Sequence, residues 1–177
     1  MKKLRSTVAA AVCAGLLGAA AGCSDTKLAV PDDFCRTSVD HSSLSPLLPG
    51  SGEVKQTHED FEPPRAGSAC TLKVDGHPVL SVNALRSDGK PDPRDWKKVA
   101  DTYEYAAERE VTFPGTAVIG SNRAVVQALC TKRSAYMSFA VYLYGDRVEN
   151  TAAGYKKLQR FLDDFVPQVT KRFECTK

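Results

Sequence analysis

What the chain has little of narrows it first. Its 177 residues include only three histidines, His41, His58 and His77, one tryptophan and two methionines. A metal centre wants imidazoles at helical or hairpin spacing with carboxylates beside them, and so few histidines leave little for one. No Gly-x-Ser-x-Gly elbow, His-Glu-x-x-His pair, Cys-x-x-Cys pair, glycine-rich phosphate loop or calcium loop occurs. The signatures that carry their own hydrolytic, redox or nucleotide chemistry are therefore missing. Long apolar stretches are missing too. Val8–Gly22 spans 15 residues, short of the roughly 20 that a helix needs to cross about 30 Å of hydrocarbon.

What is present begins around that same stretch. Lys2, Lys3 and Arg5 precede it, and Ala20-Ala21-Gly22-Cys23 closes it. A basic start, a short apolar middle and small residues before the cut form the plan of an export signal. The last four residues resemble the bacterial lipobox, with Ala20 where leucine is usual. That resemblance implies cleavage before Cys23 and a diacylglyceryl group on its thiol. The other reading is cleavage at Ala19-Ala20-Ala21, which would leave an unpaired cysteine near the terminus in an oxidising compartment. Residues 1–22 are thus expected to be a signal peptide, 23–33 a lipid-anchored tether and 34–177 a single extracytoplasmic domain. Each buried methylene of an acyl chain contributes about 0.8 kcal/mol, so palmitate-length chains on one residue hold a protein at the outer face of the cytoplasmic membrane.

Removing the signal changes two balances. The chain has 24 basic and 21 acidic residues, and three of the basic ones, Lys2, Lys3 and Arg5, leave with the signal. The remaining 21 against 21 is neutral, and no compositional argument for nucleic acid or for a basic membrane-hugging surface survives. Of six cysteines, Cys13 leaves and Cys23 takes lipid, so Cys35, Cys70, Cys130 and Cys175 remain. An even number in an exported chain predicts disulfides, with three connectivities open. The preferred one joins Cys35 to Cys70 and Cys130 to Cys175, each bridge tying the beginning of one half to a later element of the same half. On a chain-entropy account each closure contributes roughly 4 kcal/mol.

The apolar pattern predicts an α+β domain. Ser42 and Ser43 are candidate caps of a short helix carrying Leu44, Leu47 and Leu48, with Pro46 in its first turn. Glu53–Phe61 reads as a polar edge strand. Cys70, Leu72 and Val74 alternate with polar residues, Asp75-Gly76 is a hairpin signal, and Val79–Leu85 returns. His77, just after the turn, reads as a loop residue. Asp92 reads as the cap of a helix that begins at Pro93 and sets Trp96, Val99, Ala100, Tyr103, Ala106 and Ala107 on one face, apt to cover a sheet. Three more strands follow over Ala117–Ile119, Ala124–Cys130 and Ala135–Tyr144. A last helix starts near Thr151, and Pro167 is expected to kink or end it.

The halves carry matching spacings. Cys70 precedes a hairpin and Trp96-Lys97-Lys98, and Cys130 precedes a hairpin and Tyr155-Lys156-Lys157, which admits an internal duplication. The order of antiparallel strands and covering helices, with Phe34-Cys35, Leu47-Leu48-Pro49-Gly50 and Cys70-Thr71-Leu72, resembles the PsbP-like α+β sandwich of small actinobacterial surface lipoproteins of the LpqN type. The resemblance implies a non-catalytic accessory or binding domain in the cell envelope and transfers no catalytic residue.

Three groups of side chains remain as site candidates. His58-Glu59-Asp60 places His58 and Asp60 on one face of a strand, where the plainer reading is a charged edge that discourages edge-to-edge pairing; no metal site and no cofactor are expected. A thiol nucleophile is not available once four cysteines are bridged and one is acylated. The strand face carrying Tyr136, Ser138, Ala140, Tyr142 and Tyr144 is the preferred binding surface, since tyrosine rings stack on flat ligands while their hydroxyls bond outward. Arg123, Lys132 and Arg133 at neighbouring turns would form an anion-binding rim. The expected function is a non-catalytic envelope binding domain for a protein, a wall polymer or a small ligand. The alternative is a small hydrolase or transferase that gathers Ser, His and a carboxylate from distant positions.

Overall fold

The computed structural model describes residues 27–91, 93–131, 134–145 and 148–176. The signal stretch 1–22, Cys23 and the first residues of the tether lie outside them, as do Asp92, Lys132 and Arg133.

A two-strand hairpin opens the domain, β1 (Asp33–Phe34) and β2 (Thr37–Ser38). A short helix α1 (His41–Leu44) follows and runs into a 3-10 turn at Ser45–Leu47. Asp40, rather than Ser42 or Ser43, caps α1, because its carboxylate accepts from the Ser42 amide at 2.8 Å. That backbone hydrogen bond, with the Ser42 side chain adding to it, holds the Asp40 carboxyl below the usual carboxylate range. Pro46 sits in the first turn of the 3-10 segment, where its missing amide costs nothing.

Seven antiparallel strands then form one sheet: β3 (Val54–Phe61), β4 (Gly67–Val74), β5 (His77–Asp88), β6 (Ala107–Arg109), β7 (Gly115–Ile119), β8 (Arg123–Leu129) and β9 (Ala135–Leu143). Their order is β3-β4-β5-β9-β8-β7-β6. The polar stretch expected at an edge is an edge strand, and Asp75 and Gly76, both with positive φ, make the tight β4–β5 turn. His77 belongs to β5, paired with Val74, rather than to a loop.

Strand alternation sorts the side chains. Cys70, Leu72, Val74, Leu80, Val82, Ala84, Ala124, Val126, Met137, Phe139 and Val141 are all buried on one face. The long helix α3 (Tyr155–Arg172) lies on that side with α1 and β2, burying Leu158, Phe161, Leu162, Phe165, Val166 and Val169. Phe34 enters between them, its ring centroid 6.1 Å from Phe161 and 5.5 Å from Phe165.

One helix expectation is corrected, and of the two outcomes expected at Pro167, a kink or an end, the end does not occur. The helix predicted to run from Pro93 through Ala107 is only α2 (Trp96–Ala100), which buries none of its own residues and is capped by Asp95. Thr102 Oγ1 donates to the Val99 carbonyl at 2.6 Å, closing the turn locally, and Tyr105 adopts a left-handed φ of 55°. The chain is thereby released into β6, whose ladder bonds to β7 replace the helical ones. Pro167 does not end the last helix, which continues to Arg172. Buried Phe165 and Val166 before the proline, and Val169 and Thr170 after it, hold the segment against the sheet, and packing outweighs one lost backbone bond.

Two disulfides, Cys35–Cys70 and Cys130–Cys175, close the domain in the preferred connectivity. The first ties the β1–β2 turn to β4; the second ties the chain beyond α3 to the end of β8. Arg172 reinforces the first, donating from Nη1 to the Cys35 carbonyl at 2.6 Å and from Nη2 to both Asp60 carboxylate oxygens at 2.8 and 2.6 Å.

Arg172→Ala is expected to lower the free energy of unfolding by about 2 kcal/mol, because it leaves the three-quarters-buried Asp60 with only an exposed partner. Arg36→Ala, whose guanidinium is mostly exposed, is expected to cost under about 0.5 kcal/mol. Urea denaturation of the oxidised protein compares the two, and equal effects would show that the Arg172 bonds are not the stronger ones. Phe165→Ala in the same assay is expected to cost about 3–5 kcal/mol.

Candidate ligand-binding face

The sheet face opposite α3 is only partly covered. Over β7 and β8 it carries the α2 segment, which packs against β6 and β7 and leaves Val118 buried. Over β3, β4, β5 and β9 many outward positions are short or polar, among them Thr57, Ala69, Thr71, Ser81, Asn83, Ser138 and Ala140, with Leu85, Tyr136 and Tyr142 on the same face and a shallow cavity of ≈ 310 Å³ above β3–β5.

Arg123 stands at the boundary between the covered and open parts. It begins β8 directly opposite Tyr142 of β9. Its guanidinium carbon lies 4.9 Å from the Tyr142 ring centroid and 4.9 Å from that of Tyr103, which reaches over from the turn after α2. A cation held against two rings is positioned by their quadrupoles. Among the described residues Arg123 makes no ion pair, so its planar set of N–H donors is not spent on a carboxylate of this domain. Beside it, a groove of ≈ 540 Å³ runs under α2, with Pro93, Asp95, Val99, Tyr103 and Val125 in its walls. That size suits a small ligand or a short polymer segment.

The tyrosine face is therefore divided. Tyr142 joins Arg123, whereas Tyr136 pairs with Leu129 at the other end of β9, six residues or about 20 Å away. Tyr144 lies just past β9, 42% exposed, its amide donating to the Val79 carbonyl. The ring that completes the clamp is Tyr103, which periodicity assigned to the buried stripe of a long helix. Its site role left no signal in sequence, because the turn that swings it onto β8 depends on α2 ending at Ala100.

The histidines stay apart. His41 bonds the exposed Asp32 at 2.9 Å, His77 starts β5, and His58 lies opposite Cys70 on the edge strand. Asp60, the second member of the His58 group, is occupied by Arg172 and Arg36. Among the described residues no group of three His, Cys, Asp or Glu side chains is placed to hold a metal, and no helix is long and apolar enough to cross a membrane. No protein-family model, curated protein or solved structure matches the chain.

Arg123→Ala and Tyr142→Ala are each expected to cost no more than about 1 kcal/mol of stability, with a coupling of about 0.5–1 kcal/mol in a double-mutant cycle. A coupling of zero by urea denaturation would show that the stack is not held in solution.

Proposed function

We propose that this chain is an extracytoplasmic lipoprotein, acylated at Cys23, whose one α+β domain is a non-catalytic binding module of the cell envelope. The observation that carries the binding reading is the Arg123 guanidinium, without an ion pair among the described residues, set against the Tyr103 and Tyr142 rings, with Tyr103 also lining the groove under α2. A planar cation with aromatic walls suits a ligand that presents a carboxylate or phosphate beside a flat or sugar-like surface, because both parts are met at once. Such chemistry is found on wall polymers and on acidic segments of envelope proteins.

The anchored location is supported by the signal pattern ending in Cys23 and by two disulfides, which persist in oxidising compartments. For the fold, the proposal is a PsbP-like sandwich of the kind found in LpqN-type lipoproteins. Its strand order is symmetric about the β5–β9 seam, β3-β4-β5 meeting β9-β8-β7, which favours a duplicated three-strand unit. The cysteines and helices do not follow that symmetry, since Cys70 lies within β4 and Cys130 beyond β8, and α2 has 5 residues against 18 in α3.

Two measurements test the proposal. Intact-mass analysis of the mature protein is expected to show an acylated Cys23, and Cys23→Ser is expected to lose both the added mass and membrane retention; retention unchanged in that variant rejects the anchor. Crosslinking in native membranes is expected to yield adducts that weaken at least tenfold in Arg123→Ala, and adducts indifferent to Arg123 and Tyr142 reject the binding face.

A further inference from the structure

A further cavity, of ≈ 330 Å³, lies on the helix side of the molecule, between the 3-10 turn and the exposed side of α3. Its lining is Pro46, Lys156, Lys157 and Arg160, with no acidic residue. All three cations are exposed, none makes an ion pair among the described residues, and the first turn of α3 has no acidic side chain. In a mature chain with as many acids as bases, a cluster of three unneutralised cations is a local concentration of positive charge.

Its position matters as much as its charge. Lys27 bridges to Ser51 and the Leu28 amide donates to the Gly50 carbonyl at 3.3 Å, so the chain joins the domain at the corner formed by residues 50 and 51. Pro46 is four residues before Gly50, a chain reach of at most about 14 Å. Cys23 is four residues before Lys27, again at most about 14 Å. A bilayer holding the acyl chains of Cys23 is thus confined to the neighbourhood of this corner. Of the acids near it, Glu53 pairs with Lys55, whereas the Asp75 carboxylate accepts only from the Glu53 amide among the described residues and keeps its charge. On α3 itself Asp163 and Asp164 lie one turn past Arg160, turned to Thr112 and to Asp40 and Ser43 of the neighbouring segments.

We infer that Lys156, Lys157 and Arg160, with Lys27 at the tether, dock the domain on the anionic phospholipid headgroups of the membrane that anchors it. Docking there sets α3 toward the lipid and turns the open sheet face with Arg123 away from it, toward the partner side. The orientation rests on the anchor at Cys23, whereas the affinity for anionic headgroups does not, and the two are separable. Each cation brought to an anionic surface contributes roughly fivefold in binding, and the three together on the order of a hundredfold, with the gain lost as salt shortens the Debye length.

The test uses the mature full-length chain with Cys23→Ser, so that acylation contributes nothing. Sedimentation with vesicles of equal phosphatidylglycerol and phosphatidylcholine is expected to retain the protein at low salt, with release in 0.5 M salt (about 4 Å of screening length) and no retention on pure phosphatidylcholine. K156A/K157A/R160A is expected to weaken retention on the order of a hundredfold, and Arg123→Ala to leave it unchanged. Equal retention on both vesicle types, or retention unaltered in the triple variant, overturns the inference. So does retention by soluble polyglutamate without retention by vesicles, which would mark an acidic polymer as the occupant. Circular dichroism of the triple variant, whose exposed substitutions remove no core contact, is expected to match the parent. Failure of the anchor itself shows only in the mass and membrane retention of the protein with Cys23 intact.

Discussion

Arg172 joins three parts of the chain that are far apart in sequence and that the Cys35–Cys70 disulfide, the Arg36–Asp60 pair and Phe34 also draw together. Its guanidinium takes the Cys35 carbonyl with one nitrogen and the Asp60 carboxylate with another, joining the end of α3 to the β1–β2 turn and to the edge strand. That turn is an awkward one, with positive φ at both Cys35 and Arg36, a conformation non-glycine residues adopt at a cost. The cost is met by over-determination: the Cys35 side chain is bonded to Cys70 and its carbonyl to Arg172. With the turn held, Phe34 is delivered against the stacked pair Phe161 and Phe165, and the helix layer is keyed to the sheet.

The consequence is a domain with two unlike sides. The helix side is sealed by aromatic and aliphatic packing, and its outer surface carries the Lys156–Lys157–Arg160 cluster near the point where the tether joins. The opposite side is a sheet face dressed with short polar residues and bounded by the stacked Arg123. The proposed roles, one surface against headgroups and another toward a partner, would call for this kind of asymmetry, and the two cation groups differ accordingly. Arg123 is fixed between rings, which suits recognition of one geometry. Lys156, Lys157 and Arg160 are exposed and, among the described residues, stacked on no ring, which suits a fluid surface.

The strands were largely legible from alternation, since burying one face of a sheet imposes a period of two that short polar insertions do not obscure. The helices were less so. Trp96 to Ala107 has a clean 3.6-residue stripe, but those residues are only weakly apolar at its end, and pairing of Ala107–Arg109 with β7 won. Pro167 was a misleading signal for the opposite reason, because its neighbours are buried deeply enough to carry the helix past it. The candidate face was half legible: alternation put Tyr142 outward, but Arg123 was read as a turn residue before Ala124 rather than the first residue of β8, and spacing could not separate Tyr136 from them or bring Tyr103 in.

The sequence by itself determined the even set of cysteines after Cys23, the alternating strands and the equal numbers of acidic and basic residues from Cys23 onward, because these follow from residue type and local spacing. Only the tertiary structure decided which side chains meet across distance. Tyr103 reaches Arg123 because a helix stops early, and Arg172 reaches Cys35 and Asp60 because α3 crosses the sheet. Spacing along a chain fixes which face a residue occupies, but not which other element that face will meet.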